Sequence, residues 1–349
     1  MGSRLSPSED NILRAARALQ AGELVVLPTE TVYGLAADAS QAQAVQAIYT
    51  LKGRPPGHPL IVHVASKASA QRWGVFDARA HALASAFWPG PLTLILPRQP
   101  DAPAWACGGQ DSIGLRCPSH PVAQAVLQAF AKLDALGGVA APSANRFGRV
   151  SPTRAQHVLD DLGEQTPLLL DGGPSEVGVE STIVDLTTPK ARLLRPGRIR
   201  REAIEAVLGG PLGGQEADAP KASGTLASHY CPVTPVSVVD EDELDAALIQ
   251  LRAQSDGLGA VSFAASSAAA TAVSGQAGRM GVYARQRPAN PEVLWLAAPS
   301  DADGWEQTLY DAMRQLDRQQ LARIVIAAPR EGPQWDAVMD RVSRAAVRA

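Results

Sequence analysis

The stretch from Gly209 to Pro220, rich in Gly, Pro, Ala and acidic residues, divides this chain into two parts of different style. Before it, short strands and helices follow one another with brief connections, and strands outnumber helices. After it, strands are spaced by amphipathic helices. A chain of 349 residues has room for two domains at roughly 100–200 residues each. The expected organisation is a first domain over residues 8–208, a linker over 209–235, and a smaller domain over 236–349. The expected fold class is α/β in the broad sense. The first domain is a twisted, mixed α+β sheet with flanking helices, and the second is a parallel α/β sheet.

In the first part, Ile12, Leu13, Ala16 and Leu19 recur at helical spacing after a cap at Ser8 or Asp10, and Gly22 ends that helix. Leu24 to Leu27 is a short buried strand that opens at Pro28 into the hydroxyl-rich loop Thr29-Glu30-Thr31-Val32-Tyr33-Gly34. A helix over Ala42–Leu51 carries the paired cations of Lys52-Gly53-Arg54-Pro55 back toward that loop. Strands are expected at Leu60–Val64, Leu92–Leu96, Ile113–Arg116, Gly138–Ala141 and Leu168–Leu170, with a hairpin over Ser181–Leu186 and Ala191–Arg195. Ser66–Phe87 reads as two helical pieces, Pro121–Leu136 as one helix, and Thr153–Leu162 as a short helix capped by Ser151. A last helix of this part runs over Arg201–Leu208. In the second part strands are expected at 236–239, 259–263, 293–296 and 324–327, and helices at 241–254, 304–316 and 334–346. Ala264–Gly278 is left open between a loop and a weak helix. No G-x-G-x-x-G turn is present for a dinucleotide, and no Walker A motif occurs.

Several classes of function are disfavoured. The net charge of −3 gives no chain-wide basic footprint for nucleic acid, although a local cationic cleft is compatible with it. Cys107, Cys117 and Cys231 form no C-x-x-C pair, so they support neither a zinc site nor a redox motif. Cys117 follows Arg116 but has no adjoining base. The amino terminus lacks an apolar core with a cleavage site, and no apolar run approaches the ~20 residues of a membrane span. A cytoplasmic protein is expected.

Four clusters at strand ends and in loops could carry chemistry: Thr29, Glu30, Thr31 and Tyr33; Lys52, Arg54, His58 and His63; Ser112 and Arg116; and Ser143, Asn145, Ser151, Ser181 and Arg195. Taken singly, each has an ordinary structural reading. Threonines in turns satisfy their own backbone, and His63 between Val62 and Val64 suits a hydrogen-bonded core histidine. Together they form a set of hydroxyls and cations almost without carboxylates. Such a set suits phosphoryl or nucleotidyl transfer, where positioning and charge neutralisation do most of the catalysis.

In order and spacing, Pro28–Leu35, Lys52–Pro55, His58–His63, Trp88–Thr93, Gly114–Arg116, Ala141–Asn145 and Glu180–Asp185 resemble the YrdC-like family. Ser223-Gly224-Thr225-Leu226-Ala227-Ser228-His229-Tyr230-Cys231-Pro232 resembles the linker of its two-domain members, which carry a C-terminal Rossmann-like domain. The resemblance implies an L-threonylcarbamoyladenylate synthase. Such an enzyme uses ATP, L-threonine and bicarbonate or CO2, and its product serves tRNA threonylcarbamoyladenosine synthesis in a separate transferase complex. It implies threonine contacts at Thr31, His63, Arg116 and Ser181. It implies ATP contacts at Arg54, His58, Ala141 (through its backbone), Ser112, Ser143, Ser151, Arg195 and Tyr230, with the linker crossing the active site. Lys52 and Arg54 are the candidate catalytic cations, and Asn145 would fix the serine loop. Mg2+ is expected with ATP, its protein ligands unassigned, and no organic cofactor is expected. His58 stands where many relatives carry Asn, and Ala141 where some carry Thr. Glu30 is left open between orienting its loop, holding a metal and receiving the amine's proton. The alternative reading is a double-stranded RNA or tRNA-binding module using the same cationic cleft; direct tRNA binding is otherwise left open.

Overall fold

The computed structural model describes residues 4–214, 219–224, 228–258, 279–328 and 332–347. The chain forms two compact units, Met1–Leu226 and Ala227–Ala349. The expected strand at 259–263 and the open stretch 264–278 lie outside the described residues.

The strands of the first unit are β1 (Arg4–Leu5), β2 (Val25–Leu27), β3 (Gly34–Asp38), β4 (Ile61–Val64), β5 (Leu92–Pro97), β6 (Ser112–Arg116), β7 (Gly138–Ala140), β8 (Leu168–Leu170), β9 (Thr182–Asp185) and β10 (Arg192–Arg195). They form one mixed sheet in the order β1-β8-β2-β3-β7-β4-β6-β5-β9-β10. The helices are α1 (Glu9–Gln20), α2 (Ala42–Lys52), α3 (Lys67–Ala70), α4 (Ala78–Phe87), α5 (Pro121–Phe130), α6 (Ala155–Leu162) and α7 (Arg201–Leu208). Ser8 caps α1 by accepting the Asn11 amide.

Alternate residues of β2 and β3 serve two different cores. Val25, Leu27 and Ala36 pack with Ala15, Leu19, Val126 and Phe130 of α1 and α5. Val26, Leu35 and Ala37 pack on the other face with Ile48, Trp73, Leu94 and Leu115. Burial on both faces is why β2 reads as an unbroken apolar run. The face that α1 and α5 cover includes Val139 of β7, and Val139 pairs with His63 of β4. Beyond that point the same face turns polar.

The structure corrects three local expectations. Gly34–Asp38, whose first residues were expected at the end of the hydroxyl-rich loop, is a full strand antiparallel to β2. The fifth helix ends at Phe130 rather than Leu136: the Asp134 carboxylate accepts the amides of Leu136 and Gly137, and Gly137 takes φ +59°, a turn that competes with the helix. The sixth helix starts at Ala155 with Arg154 at its cap; Ser151 is not the cap, because its hydroxyl donates to Glu180 Oε1.

The second unit holds β11 (Val236–Val239), β12 (Met280–Ala284), β13 (Leu294–Ala297) and β14 (Arg323–Ala327), all parallel, in the order β11-β14-β12-β13. Its helices are α8 (Leu244–Leu258), α9 (Ala302–Asp317) and α10 (Asp336–Ala346). The sequence reading missed β12. Gly281 weakens its strand signature, yet the structure needs that glycine, since a Cβ there would meet Leu321 at 2.5 Å and Leu316 at 2.8 Å.

Gly138, at the start of β7, carries the chain toward the Pro142–Asn145 loop. A Cβ on it would meet the ring of buried Trp73 at 2.6–2.7 Å. Gly138→Ala should therefore cost about 1–3 kcal/mol of stability by overpacking. Urea unfolding should show a lower midpoint with an unchanged slope.

Candidate active site

The site is laid out by strand register. His63 of β4 pairs with Arg116 of β6, Arg116 with Thr93 of β5, Thr93 with Ile183 of β9, and Ile183 with Arg195 of β10. Residues in register share a face and lie side by side. One row of the sheet thus brings together residues far apart in sequence. The neighbouring row on that face is Ile61, Gly114 and Ile95. A Cβ on Gly114 would meet Ile95 at 3.2 Å and Ile61 at 3.4 Å, so the glycine leaves a flat apolar floor beside the polar row.

Arg116 anchors the loop that enters β3. Its Nη1 donates to Thr31 Oγ1 at 2.8 Å. Its Nη2 lies 2.7 Å from Glu30 Oε1, a charge contact without hydrogen-bond alignment. Thr29 Oγ1 lies 2.9 Å from Thr31 Oγ1 and donates to the Val32 carbonyl at 2.6 Å, so the hydroxyls of this loop are ordered. Glu30, Thr31, His63 and Arg116 are all buried.

Lys52 and Arg54 flank Gly53, whose φ of +63° closes α2 and turns the chain so that both cations are buried. Lys52 Nζ donates to the carbonyls of Ser143 and Asn145, at 2.5 and 2.6 Å. It therefore pins the serine loop, a role the sequence reading assigned to Asn145. The Asn145 amide donates to the carbonyls of Arg146 and Arg149. Arg54 donates to the Pro59 carbonyl at 3.0 Å and lies 5.8 Å from the centre of the Phe147 ring. His58 meets that ring edge-on at 5.7 Å. The Ala141 amide donates to Ile61 O. Ser151 is buried against Glu180 at 2.5 Å.

Ser181 joins the middle of the row to its Arg195 end. Its hydroxyl lies 2.7 Å from Thr93 Oγ1 and accepts from Arg195 Nη2 at 3.2 Å, while Arg195 Nε donates to the Ser181 carbonyl at 3.0 Å. Arg195 Nη1 donates to the carbonyl of Ser223 at 2.7 Å. Ser112 lines a crevice above Gly114 together with Ile61, Ile95, Lys221 and Ser223. Gln110 exchanges two hydrogen bonds with the backbone of Lys221 there. Tyr230 belongs to the second unit, where its ring stacks on Tyr310 at 5.5 Å and lies 5.4 Å from the Arg341 guanidinium. Sequence reasoning did not find the contacts of Thr93 with Ser181, of Glu30 with Arg116, or of Gln110 with Lys221. Thr93 was in a quoted motif without a role, and only the register reveals one. Among the described residues no cluster of three or more His, Cys, Asp or Glu could hold a metal, and no helix is long and apolar enough to cross a membrane.

The family model Sua5_yciO_yrdC, described as telomere recombination, matches residues 17–197. The chain belongs to the Sua5–YciO–YrdC family. A second model, described as threonylcarbamoyl-AMP synthase, C-terminal domain, matches residues 199–347. This family member is 40% identical over 243 residues to the threonylcarbamoyl-AMP synthase of Bacillus subtilis, 68% of either chain. It is 32% identical over 363 residues to that of Schizosaccharomyces pombe, covering 92% of this chain and 84% of the other. The crystal structure of Pyrococcus abyssi Sua5 complexed with L-threonine matches with a TM-score of 0.84 at 34% identity, over 99% of this chain and 97% of that one.

Electrostatics in this Sua5–YciO–YrdC site follow from burial and from the guanidinium groups. Burial pushes the Glu30 carboxyl up, but the adjacent charge of Arg116, with nearby backbone amides, holds it below its ordinary value. Glu30 is therefore ionised and a poor acceptor for an ammonium proton. Burial, reinforced by Arg54, lowers Lys52 well below the usual lysine range. Burial raises the Cys117 thiol, which suits an inert cysteine.

Burial, and then the Arg116 charge, lower His63 to about 3. Its Nδ1 lies 3.2 Å from the Ile61 carbonyl. An unfolded histidine titrates near about 6.5, so the unfolded chain takes up a proton that the folded one refuses. The contribution of His63 to stability should be complete above that value and should fall as pH drops toward 3. In NMR titration its C2 proton should not shift between about pH 5 and 8; a midpoint near the unfolded value would contradict the buried neutral ring.

Proposed function

We propose that this protein is an L-threonylcarbamoyladenylate synthase, which forms threonylcarbamoyl-AMP, pyrophosphate and water from L-threonine, bicarbonate and ATP. The observation that carries the reading is the polar row itself. Two guanidiniums, Arg116 and Arg195, stand at separate strands of one sheet face, joined through Thr93 and Ser181. That arrangement offers two anion sites side by side, one for a carboxylate and one for a phosphate chain.

In this reading Arg116, with Thr31, His63 and Ser181, receives the amino acid. The neutral His63 presents no competing cation beside the amine. Arg195, Arg54, His58, Ser112, Ser143, Ser151 and the backbone at Ala141 line the nucleotide side. The floor of Ile61, Gly114 and Ile95 suits a planar base. Once its amine is neutral, threonine adds to CO2 through nitrogen and loses a proton, giving a carbamate. A carbamate oxygen then attacks the α-phosphorus of ATP as the bond to the pyrophosphate oxygen breaks. The carbamate is already a nucleophile, so the protein's task is to align the reactants, exclude water and balance phosphate charge.

Lys52 acts in this scheme by fixing the Ser143–Asn145 loop. Its low proton affinity and its two carbonyl partners favour that role over direct neutralisation of phosphate. Magnesium would enter as the counterion of ATP, held by phosphate oxygens and water. The donors here are hydroxyls and guanidiniums, and Glu30 and Glu180 already face Arg116 and Ser151. Residues 221–223 cross the crevice as a strap. The product is a mixed anhydride, which a separate transferase complex would deliver to tRNA.

Two measurements test the reading. The purified protein should release pyrophosphate from ATP only when both threonine and bicarbonate are supplied; turnover without threonine, or none at all, would sink the assignment. By calorimetry Arg116→Lys should weaken threonine binding about 10- to 100-fold, the loss of a bidentate charge-assisted contact, and ATP binding by less than about threefold. Equal losses would remove Arg116 from the amino-acid pocket.

A further inference from the structure

Trp88–Thr93 was part of the sequence resemblance, yet none of its residues meets a substrate in the scheme above. Thr93 is fully buried in the middle of the polar row, between Arg116 and Ile183. Among the described residues Ser181 Oγ, at 2.7 Å, is the hydrogen-bond partner of its hydroxyl. Either hydroxyl could donate across this contact, but only Ser181, which faces the substrate in the scheme above, has a second acceptor to turn to, so with substrate bound Thr93 donates to Ser181. Arg195 Nη2 also donates to Ser181 Oγ, and a guanidinium has no acceptor to offer in return. A serine hydroxyl has two acceptor sites and one proton. With both acceptor sites filled, what remains is the proton.

We infer that Thr93 is a positioning residue that fixes Ser181 as a hydrogen-bond donor, so that Ser181 reads an anionic oxygen of the substrate and not its amine. The inference rests on the synthase reading, in which Ser181 faces the amino acid. It also bears on specificity. A donor locked by two neighbours cannot turn to accept from an ammonium, so a zwitterion seated the wrong way round leaves that ammonium unmatched. The oxygen is that of the amino-acid carboxylate or, after CO2 capture, of the carbamate.

The test is a double-mutant cycle read by threonine-dependent pyrophosphate release. Thr93→Val keeps the shape and removes the hydroxyl, freeing Ser181 to turn. It should raise the threonine KM about tenfold, while Thr93→Ser should restore it to within about twofold. In a Ser181→Ala background Thr93→Val should change KM by less than about twofold. Calorimetry of threonine without ATP and bicarbonate then separates the two oxygens: weaker binding points to the carboxylate, and unchanged binding with a raised KM to the carbamate. An unchanged KM in Thr93→Val, or equal costs with and without the Ser181 hydroxyl, would overturn the inference while leaving an active synthase in place. Wild-type protein without threonine-dependent release would instead remove the synthase reading on which it stands.

Discussion

A guanidinium buried in the middle of a sheet is the constraint on which this structure turns. Arg116 is only 4% exposed, and a cation removed from water costs several kcal/mol unless the fold supplies an opposite charge. The fold supplies Glu30, from the loop between β2 and β3. That loop has little freedom left once its carboxylate must face β6. The dependence passes on, because the Glu30 carbonyl accepts the amide of Val177 and so ties down the segment that carries Glu180 and Ser181. A strand, a turn and a distant loop are thus held in place by one charge contact.

The sheet does the remaining work by register. Side chains at 63, 93, 116 and 195 come into one row because five strands, parallel and antiparallel, pair at fixed offsets. A slip of one residue in any of them would turn its member of the row to the opposite face, where Val62, Leu94 and Leu115 belong to the apolar core. The burial pattern that stabilises the sheet is therefore also what aims the site, and core and site are the two faces of the same strands.

Much of this was legible in the sequence. Most strands and helices announce themselves by apolar runs and caps, as do the parallel style of the second unit and the segments that meet at the site. What was not legible is local competition and long-range pairing. Asp134 ends α5 with a side chain that takes two amides, and Ser151 leaves the cap of α6 for Glu180. In both cases a polar side chain has two uses, and tertiary structure decides between them. Glu30 was open among three roles until Arg116 appeared beside it. Lys52 looked like a phosphate cation from its neighbours in sequence, yet its ammonium meets two carbonyls some ninety positions away.

The two halves of the candidate site differ in how they are built, and the difference is physical. Thr31, His63, Arg116 and Ser181 are at most 5% exposed, so the amino-acid half is packed into the sheet and the loops against it. Arg54, Ser151 and Arg195 are buried while His58, Ser112, Ala141 and Ser143 are partly exposed, so the nucleotide half runs from the interior out to the surface. A small ligand with a fixed pattern of charge is best recognised by groups that cannot move, because orientation is then settled before it arrives. A triphosphate is long and highly charged, and it is better met by a surface that backbone can cover. Residues 221–223, clasped by Gln110 and joined to Arg195 through Ser223, would provide such a cover in the proposed reading. Ser181, bonded to Arg195 on one side and Thr93 on the other, is where the rigid half meets the covered one.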